Sequence, residues 1–402
     1  MMRRFYCLSL LAALVAGCNR TDTPAAGGGT PAAADANTVS MPTEQMLNDL
    51  GPVNGIAVNH LLPDTLFIIY GQPKRLLTSP LAKGNEPILE AILAQAGTQI
   101  FKPDKIERLI IAVANPAQVP ITASDPQKPE AVPKTQIIPI ARRVSIYRFE
   151  APITPPMILA PFIGSAANDE NKINSLKHTE GTAEYYDVTP LDLGSPQKAA
   201  VGLIDDHTAV VVEGQSEDIR SVFLGTAKKS AAAQRFQHTV LADSEITLLT
   251  SLEGTSVNAR TIDQILTQFA VLPENVVKAV SENLRALSFS LNISAEAGKP
   301  IVSMRGEGKS EDGAKAIHSA LQGWLIDAQT TFAAMDDEAK KTFWMPQELA
   351  EKLLASLLLN VDKTVVTAAL NNFDTLVPNV TAALTARQQA AQQAQIQQQR
   401  IQ

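Results

Sequence analysis

Two hydrophobic periods alternate along most of this chain. Residues 64–71, DTLFIIYG, are a short run of large and branched side chains closed by glycine, the pattern of a strand. Residues 86–97, EPILEAILAQAG, repeat apolar positions at three- and four-residue intervals and stop at Gly97, the pattern of a helix. The same reading makes strands of 106–114 (IERLIIAVA), 143–151 (RVSIYRFEA) and 183–188 (AEYYDV). A short helix is expected over 154–164, with Pro155 and Pro156 in the first turn, where a missing N–H costs nothing. Residues 199–214, AAVGLIDDHTAVVVEG, read as a hairpin turning at Asp205 and Asp206, followed by a helix over 216–225.

The theme then restarts. A strand is expected over 244–254, helices over 259–269 and 274–284, and a hairpin from 285–294 and 299–308. A helix follows from Ser310, another over 346–359, a strand over 363–371, and a last helix trailing into the glutamine-rich end. The two hairpins close on nearly the same words, EGQSED (213–218) and EGKSED (307–312), each before a helix. Glycine permits the sharp strand-to-helix turn, Ser216 and Ser310 are natural N-caps, and the acidic pair suits the positive end of the helix dipole. A duplicated unit is the simplest cause. The fold expected is α+β: two related halves, each a mainly antiparallel sheet covered by helices on one face. This layout resembles exported bacterial proteins of uncharacterised role that carry a duplicated α+β unit. That resemblance brings no site residues with it.

The chain has 402 residues, more than one core usually holds, and is 45% hydrophobic and 19% charged. Its start changes the picture. Arg3 and Arg4 precede LSLLAALVA (8–16), an apolar run too short for the roughly 20 residues of a membrane-spanning helix but suited to a secretory leader. LVAG then leads into Cys18, which resembles the lipobox of bacterial lipoproteins. The resemblance implies cleavage between Gly17 and Cys18, with Cys18 acylated as the new N-terminus and holding the protein to a membrane. Asn19 is not the aspartate that marks inner-membrane retention in some bacteria. The expected place is therefore the periplasmic face of the outer membrane, or the cell-membrane exterior where no outer membrane exists. Cys7 leaves with the leader, so the mature body has no cysteine for a disulfide, thiol nucleophile or metal site. Losing Arg3 and Arg4 makes a chain of net charge −7 two units more acidic, which disfavours nucleic acid as a partner. The organisation expected is a leader (1–17), an Ala/Gly/Pro/Thr-rich flexible tether (18–45), domains at 46–228 and 229–385, and a tail (386–402).

Candidate chemistry is sparse. Gly308-Lys309-Ser310 between a strand and a helix suggests a phosphate loop. The glycine such a loop needs five residues earlier is Ser303, inside the strand, so no nucleotide is expected. Asp205, Asp206 and His207 have the residue types for a metal, but they fall at a turn that aspartates favour for backbone reasons. Ser195 and Lys198 match the Ser-x-x-Lys spacing of penicillin-recognising enzymes without the accompanying Lys-Thr-Gly. His318, Trp324 and Trp344 fall in helical patterns and read as packing residues, and Asp336–Glu338 as a solvated helix start. No catalytic, metal or cofactor-binding residue is assigned. The Pro-rich segment 115–142 is longer than the roughly 12–15 residues usual for a structureless loop, and it is the place where a partner could dock. The expectation is a non-catalytic, lipid-anchored envelope protein acting through protein partners. A periplasmic binding module for a small or lipidic ligand comes second, and a hydrolase with a nonstandard carboxylate site third.

Overall fold

A computed structural model describes residues 58–79, 100–123, 134–189, 197–226, 232, 244–251, 273–292, 300–336 and 347–371. The leader, the tether and tail, Gly17 and Cys18 lie outside the described residues, as do the helices expected at 86–97 and 259–269. The described part is α+β, with a large antiparallel sheet and seven helices among the described residues. Residues within Leu50–Ser256 and Ala286–Ile293 form one compact unit, and those within Val257–Arg285 and Ser294–Gln402 a second. The division falls after Ser256 rather than after residue 228, because the strand at 246–251 pairs with the strand at 65–71.

The first unit holds β1 (Thr65–Gly71), β2 (Ile106–Ala114), β3 (Ala117–Ala123), β4 (Lys134–Ile140) and β5 (Arg143–Phe149). It continues with β6 (Lys177–Glu180), β7 (Ala183–Asp187), β8 (Lys198–Asp205), β9 (Thr208–Gly214) and β10 (Ile246–Ser251), and it takes in most of β11 (Leu284–Leu291). Its helices are α1 (Pro73–Thr78), α2 (Pro155–Ile163), α3 (Glu170–Leu176) and α4 (Ser216–Phe223). Its sheet runs β11-β10-β1-β2-β5-β9-β8-β7-β6. Five of the eight pairings join strands consecutive in the chain, and of these β6–β7 and β8–β9 are tight hairpins.

Helices cover this sheet on both faces, not on one. Ala209, Val210, Val211 and Val212 of β9 are all buried, and they alternate between two core layers. Val210 and Val212 join Ile110, Ile146 and the α4 residues Ile219, Val222 and Phe223. Ala209 and Val211 join Ile111, Tyr147 and the α2 residues Ile158 and Leu159, with Ile173 of α3 packed alongside. A strand buried on both faces reads as a continuous apolar run rather than an alternating one, and LIIA (109–112) and AVVV (209–212) are such runs. Phe101 sits edge-on to Tyr147 and Phe149 in the second layer, at 4.9 and 5.2 Å between centroids. Burial there pushes the Tyr147 phenol up to about 12.

The second unit contains α5 (Glu274–Asn283), β12 (Pro300–Gly308), α6 (Glu311–Ala334), α7 (Gln347–Ser356), β13 (Leu357–Asp362) and β14 (Val365–Asn371). β14 pairs antiparallel with both β12 and β13. α6 buries Ala314, Ile317, Leu325, Ala328 and Phe332, one stripe at three- and four-residue spacing. The helix expected over 346–359 ends instead at Ser356. Leu357–Asp362 turns back on β14 as a hairpin, with Lys363 in the left-handed region at φ 49°. A leucine run fits either period, and pairing with β14 decides in favour of the strand.

The two EGxSED junctions are built differently. Ser310 caps α6, its Oγ accepting the Gly313 N–H at 3.0 Å. Ser216 does not cap α4: it is the first helical residue, Gln215 is the N-cap, and the Asp218 carboxylate accepts the Gln215 N–H at 2.9 Å. The shared glycine is needed in both, for close approach. A Cβ on Gly214 would lie 2.6 Å from Asp218 Oδ2, and one on Gly308 would lie 2.8 Å from the Ala314 nitrogen.

Candidate functional site

The described residues of segment 115–142 do not form a structureless loop. β3 and β4 pair over their whole length as a separate two-stranded ribbon, with Ala117 opposite Ile140 and Ala123 opposite Lys134. At roughly 3.4 Å per residue, seven pairs make an arm on the order of 20 Å long. It continues the β2–β5 hairpin. Pro120 stands opposite Ile137 and Pro139 opposite Gln118, so both prolines belong to the same alternate set of pairs. A proline has no N–H for the ladder and fits only where that N–H would face away from the partner strand. Each outer edge therefore lacks one donor, a device that discourages indiscriminate strand addition. Charge is scarce: of the described arm residues only Lys134 is charged. Gln118, Pro120, Ile137 and Pro139 share one exposed face, with Ile137 64% exposed, while Val119 and Ile138 on the other face are half-buried and Ile140 is buried.

The arm is fastened at its base by Arg142. Its Nε and Nη2 donate to the two Asp218 carboxylate oxygens at 2.9 and 2.6 Å, a bidentate fork. Nη1 donates to Asp64 Oδ2 and to the Asn115 carbonyl at 3.2 Å. The Asp218 side chain is only 8% exposed and that of Arg142 15%, so the pair is poorly screened by solvent. The Asp218 hydrogen bonds are the leading reason that the Arg142 guanidinium is held above its ordinary range. The clamp thus joins three elements: the arm base, the turn before β1 and the first turn of α4.

The motifs singled out in the sequence come out as structure. Asp206 and His207 form the two-residue turn between β8 and β9. Asp205 Oδ1 accepts the His207 N–H at 2.8 Å, and Asp206 Oδ1 lies 2.7 Å from His207 Nδ1. That bond is the largest cause holding the Asp206 carboxyl below its ordinary range. Asp205, Asp206 and His207 bring ligand-type atoms within 4.8 Å of one another, the one such grouping among the described residues. Turn hydrogen bonds already account for the arrangement, and the Asp206 and His207 carbonyls accept from Ile153 and Phe149.

At Gly308-Lys309-Ser310 three of the donors are engaged elsewhere in the fold. The Gly308 and Lys309 N–H groups donate to the Thr364 and Asn283 carbonyls, and Lys309 Nζ donates to the Glu282 carbonyl at 2.6 Å. His318 and Trp324 are half-buried on α6. Lys198 opens β8, and Asp336 follows α6; Ser195, Trp344 and Glu338 lie outside the described residues. Sequence reasoning missed Arg142 and Asp218 as a pair, because nothing in the local pattern links residues 76 positions apart.

No protein-family model and no curated protein matches the chain. Two solved structures, crystal forms I and III of TP0453, align over 82% of this chain and over 97% and 98% of theirs. Their identities are 10% and 12% and their TM-scores 0.35 and 0.33. A likeness that distant carries no function with it.

Proposed function

We propose that this protein is a lipid-anchored bacterial envelope protein that acts non-catalytically, by holding a protein partner on the arm formed by β3 and β4. The anchor rests on the lipobox-like approach to Cys18, and the periplasmic face of the outer membrane on Asn19 after it. The arm is the observation that carries the docking reading. It is a separate two-stranded ribbon whose described residues hold one charge, Lys134, with Pro120, Ile137 and Pro139 exposed on one face, and its base is held by a part-buried bidentate ion pair. Within this reading, the EGQSED and EGKSED junctions are traces of one duplicated α+β unit whose copies have since diverged at their caps.

The test is photo-crosslinking in cells from a crosslinker at Ile137, with crosslinkers at the exposed apolar residues Met157 and Ile326 as comparisons. The reading expects a discrete adduct from Ile137 alone. It also expects the adduct to weaken when Cys18→Ser releases the protein from the membrane. Equal adducts from all three positions would sink the docking reading, and undiminished acyl labelling of Cys18→Ser would sink the anchor.

A further inference from the structure

The joint between arm and sheet is weak in backbone terms. Val113 pairs with Arg143 on the sheet side, and Ala117 with Ile140 on the arm side. Three residues, 114–116, therefore face two, 141 and 142, which makes a bulge where the ladder changes register. Pro116 has no N–H to give there. Across the joint, the Ala114 N–H donates to the Arg142 carbonyl at 3.0 Å, and the Asn115 N–H donates away from the arm, to the Asp64 carbonyl at 3.3 Å. Among the described residues the Arg142 side chain also crosses, through the Asn115 carbonyl, Asp64 and Asp218.

We infer that Arg142 is a latch that sets the direction in which the arm leaves the sheet, and that it links this direction to the first turn of α4. Asp218 is the linking group. One of its oxygens, Oδ2, accepts both Arg142 Nε and the Gln215 N–H at 2.9 Å each, so the arm base and the α4 N-cap share one buried carboxylate. Moving the guanidinium moves the cap's acceptor, or leaves the carboxylate buried beside a lost partner. Asp64 is the more exposed leg and engages through one oxygen only. Its side chain is 35% exposed, and its Oδ1 is buried with no hydrogen-bond partner among the described residues. The latch therefore holds the first turn of α4 through two carboxylate oxygens and the turn before β1 through one. Arg142 is a positioning residue in this account; it acts on a partner through the ribbon and not by contact. The inference rests on the docking reading only for what the arm is for.

Spin labels on Ile137→Cys and Lys198→Cys, in a purified chain that also carries Cys7→Ser and Cys18→Ser so that no other thiol takes label, give the arm-to-sheet distance distribution. The native latch should give one narrow distribution. Arg142→Gln should broaden it or add a second maximum, and should raise amide exchange at Ala114 and Asn115 at least tenfold. Ile110 and Ile146 in the sheet should remain protected. Asp64→Ala, which removes only the Asp64 leg, should broaden the distribution less, and it serves as the test if Arg142→Gln does not fold. A distribution unchanged in the folded variants, with Ala114 and Asn115 as protected as before, overturns the latch. The crosslink from Ile137 in the native chain is untouched by that outcome, so the two readings fail separately.

Discussion

Val210 and Val211 are neighbours on β9 that serve opposite core layers, so truncating each measures one face of the sheet. Both are buried, at 0% and 2% exposure. Val→Ala removes two methyl-sized groups, about 1.6 kcal/mol of lost transfer free energy at ~0.8 kcal/mol each. The void left in a packed layer raises this to about 2–3 kcal/mol. The two costs should be similar, because α4 closes one layer and α2 the other. The double variant should lose roughly the sum, since the side chains share few neighbours despite adjacent backbones. Val113→Ala on β2, where the side chain is 38% exposed, should cost below about 0.5 kcal/mol. The assay is urea unfolding followed by the near-ultraviolet tyrosine signal, because Tyr70, Tyr147, Tyr185 and Tyr186 all belong to the first unit. A midpoint shift at unchanged slope isolates stability. If either valine cost no more than Val113, that face would be open and the two-layer account of the fold would be wrong.

Two other outcomes follow from the caps and the acids. Ser310→Ala should destabilise by ~1 kcal/mol through loss of the bond to the Gly313 N–H, whereas Ser216→Ala, at the first position inside α4, should cost a few tenths; equal losses in thermal unfolding would contradict the one-residue offset between the junctions. Burial works to raise the Asp187 carboxyl, but hydrogen bonds from the Thr189 side chain and N–H outweigh it and leave the group below its ordinary 3.8. A depressed folded value adds stability above the ordinary one, and that stability is lost as pH falls through the depressed value. Unfolding midpoints between about pH 5 and pH 2 should therefore fall less steeply in Thr189→Val than in the native chain; an identical pH dependence would remove Asp187 from the account.

What the sequence determined by itself is local. Each strand with a continuous or alternating apolar run was legible, from LFIIY in β1 to VVT in β14. So was the helix opened by Ser310, because side-chain period and capping chemistry act within a few residues. The segments that misled were those whose own preferences are divided. Ala117–Ile140 is rich in proline, yet it forms two strands because each finds its partner across the hairpin. Leu357–Leu359 could continue a helix, and β14 draws it into a strand. Only the tertiary structure decided that β9 is covered on both faces, because a run of valines states that it is buried and not by what. The clamp was beyond the sequence altogether. Arg142, Asp64 and Asp218 are 76 and 78 positions apart in their pairs, and each reads alone as an ordinary surface charge. Bringing them together required the order β1-β2-β5-β9, which sets the start of α4 beside the base of the arm, and burial there turns three separate charges into one network.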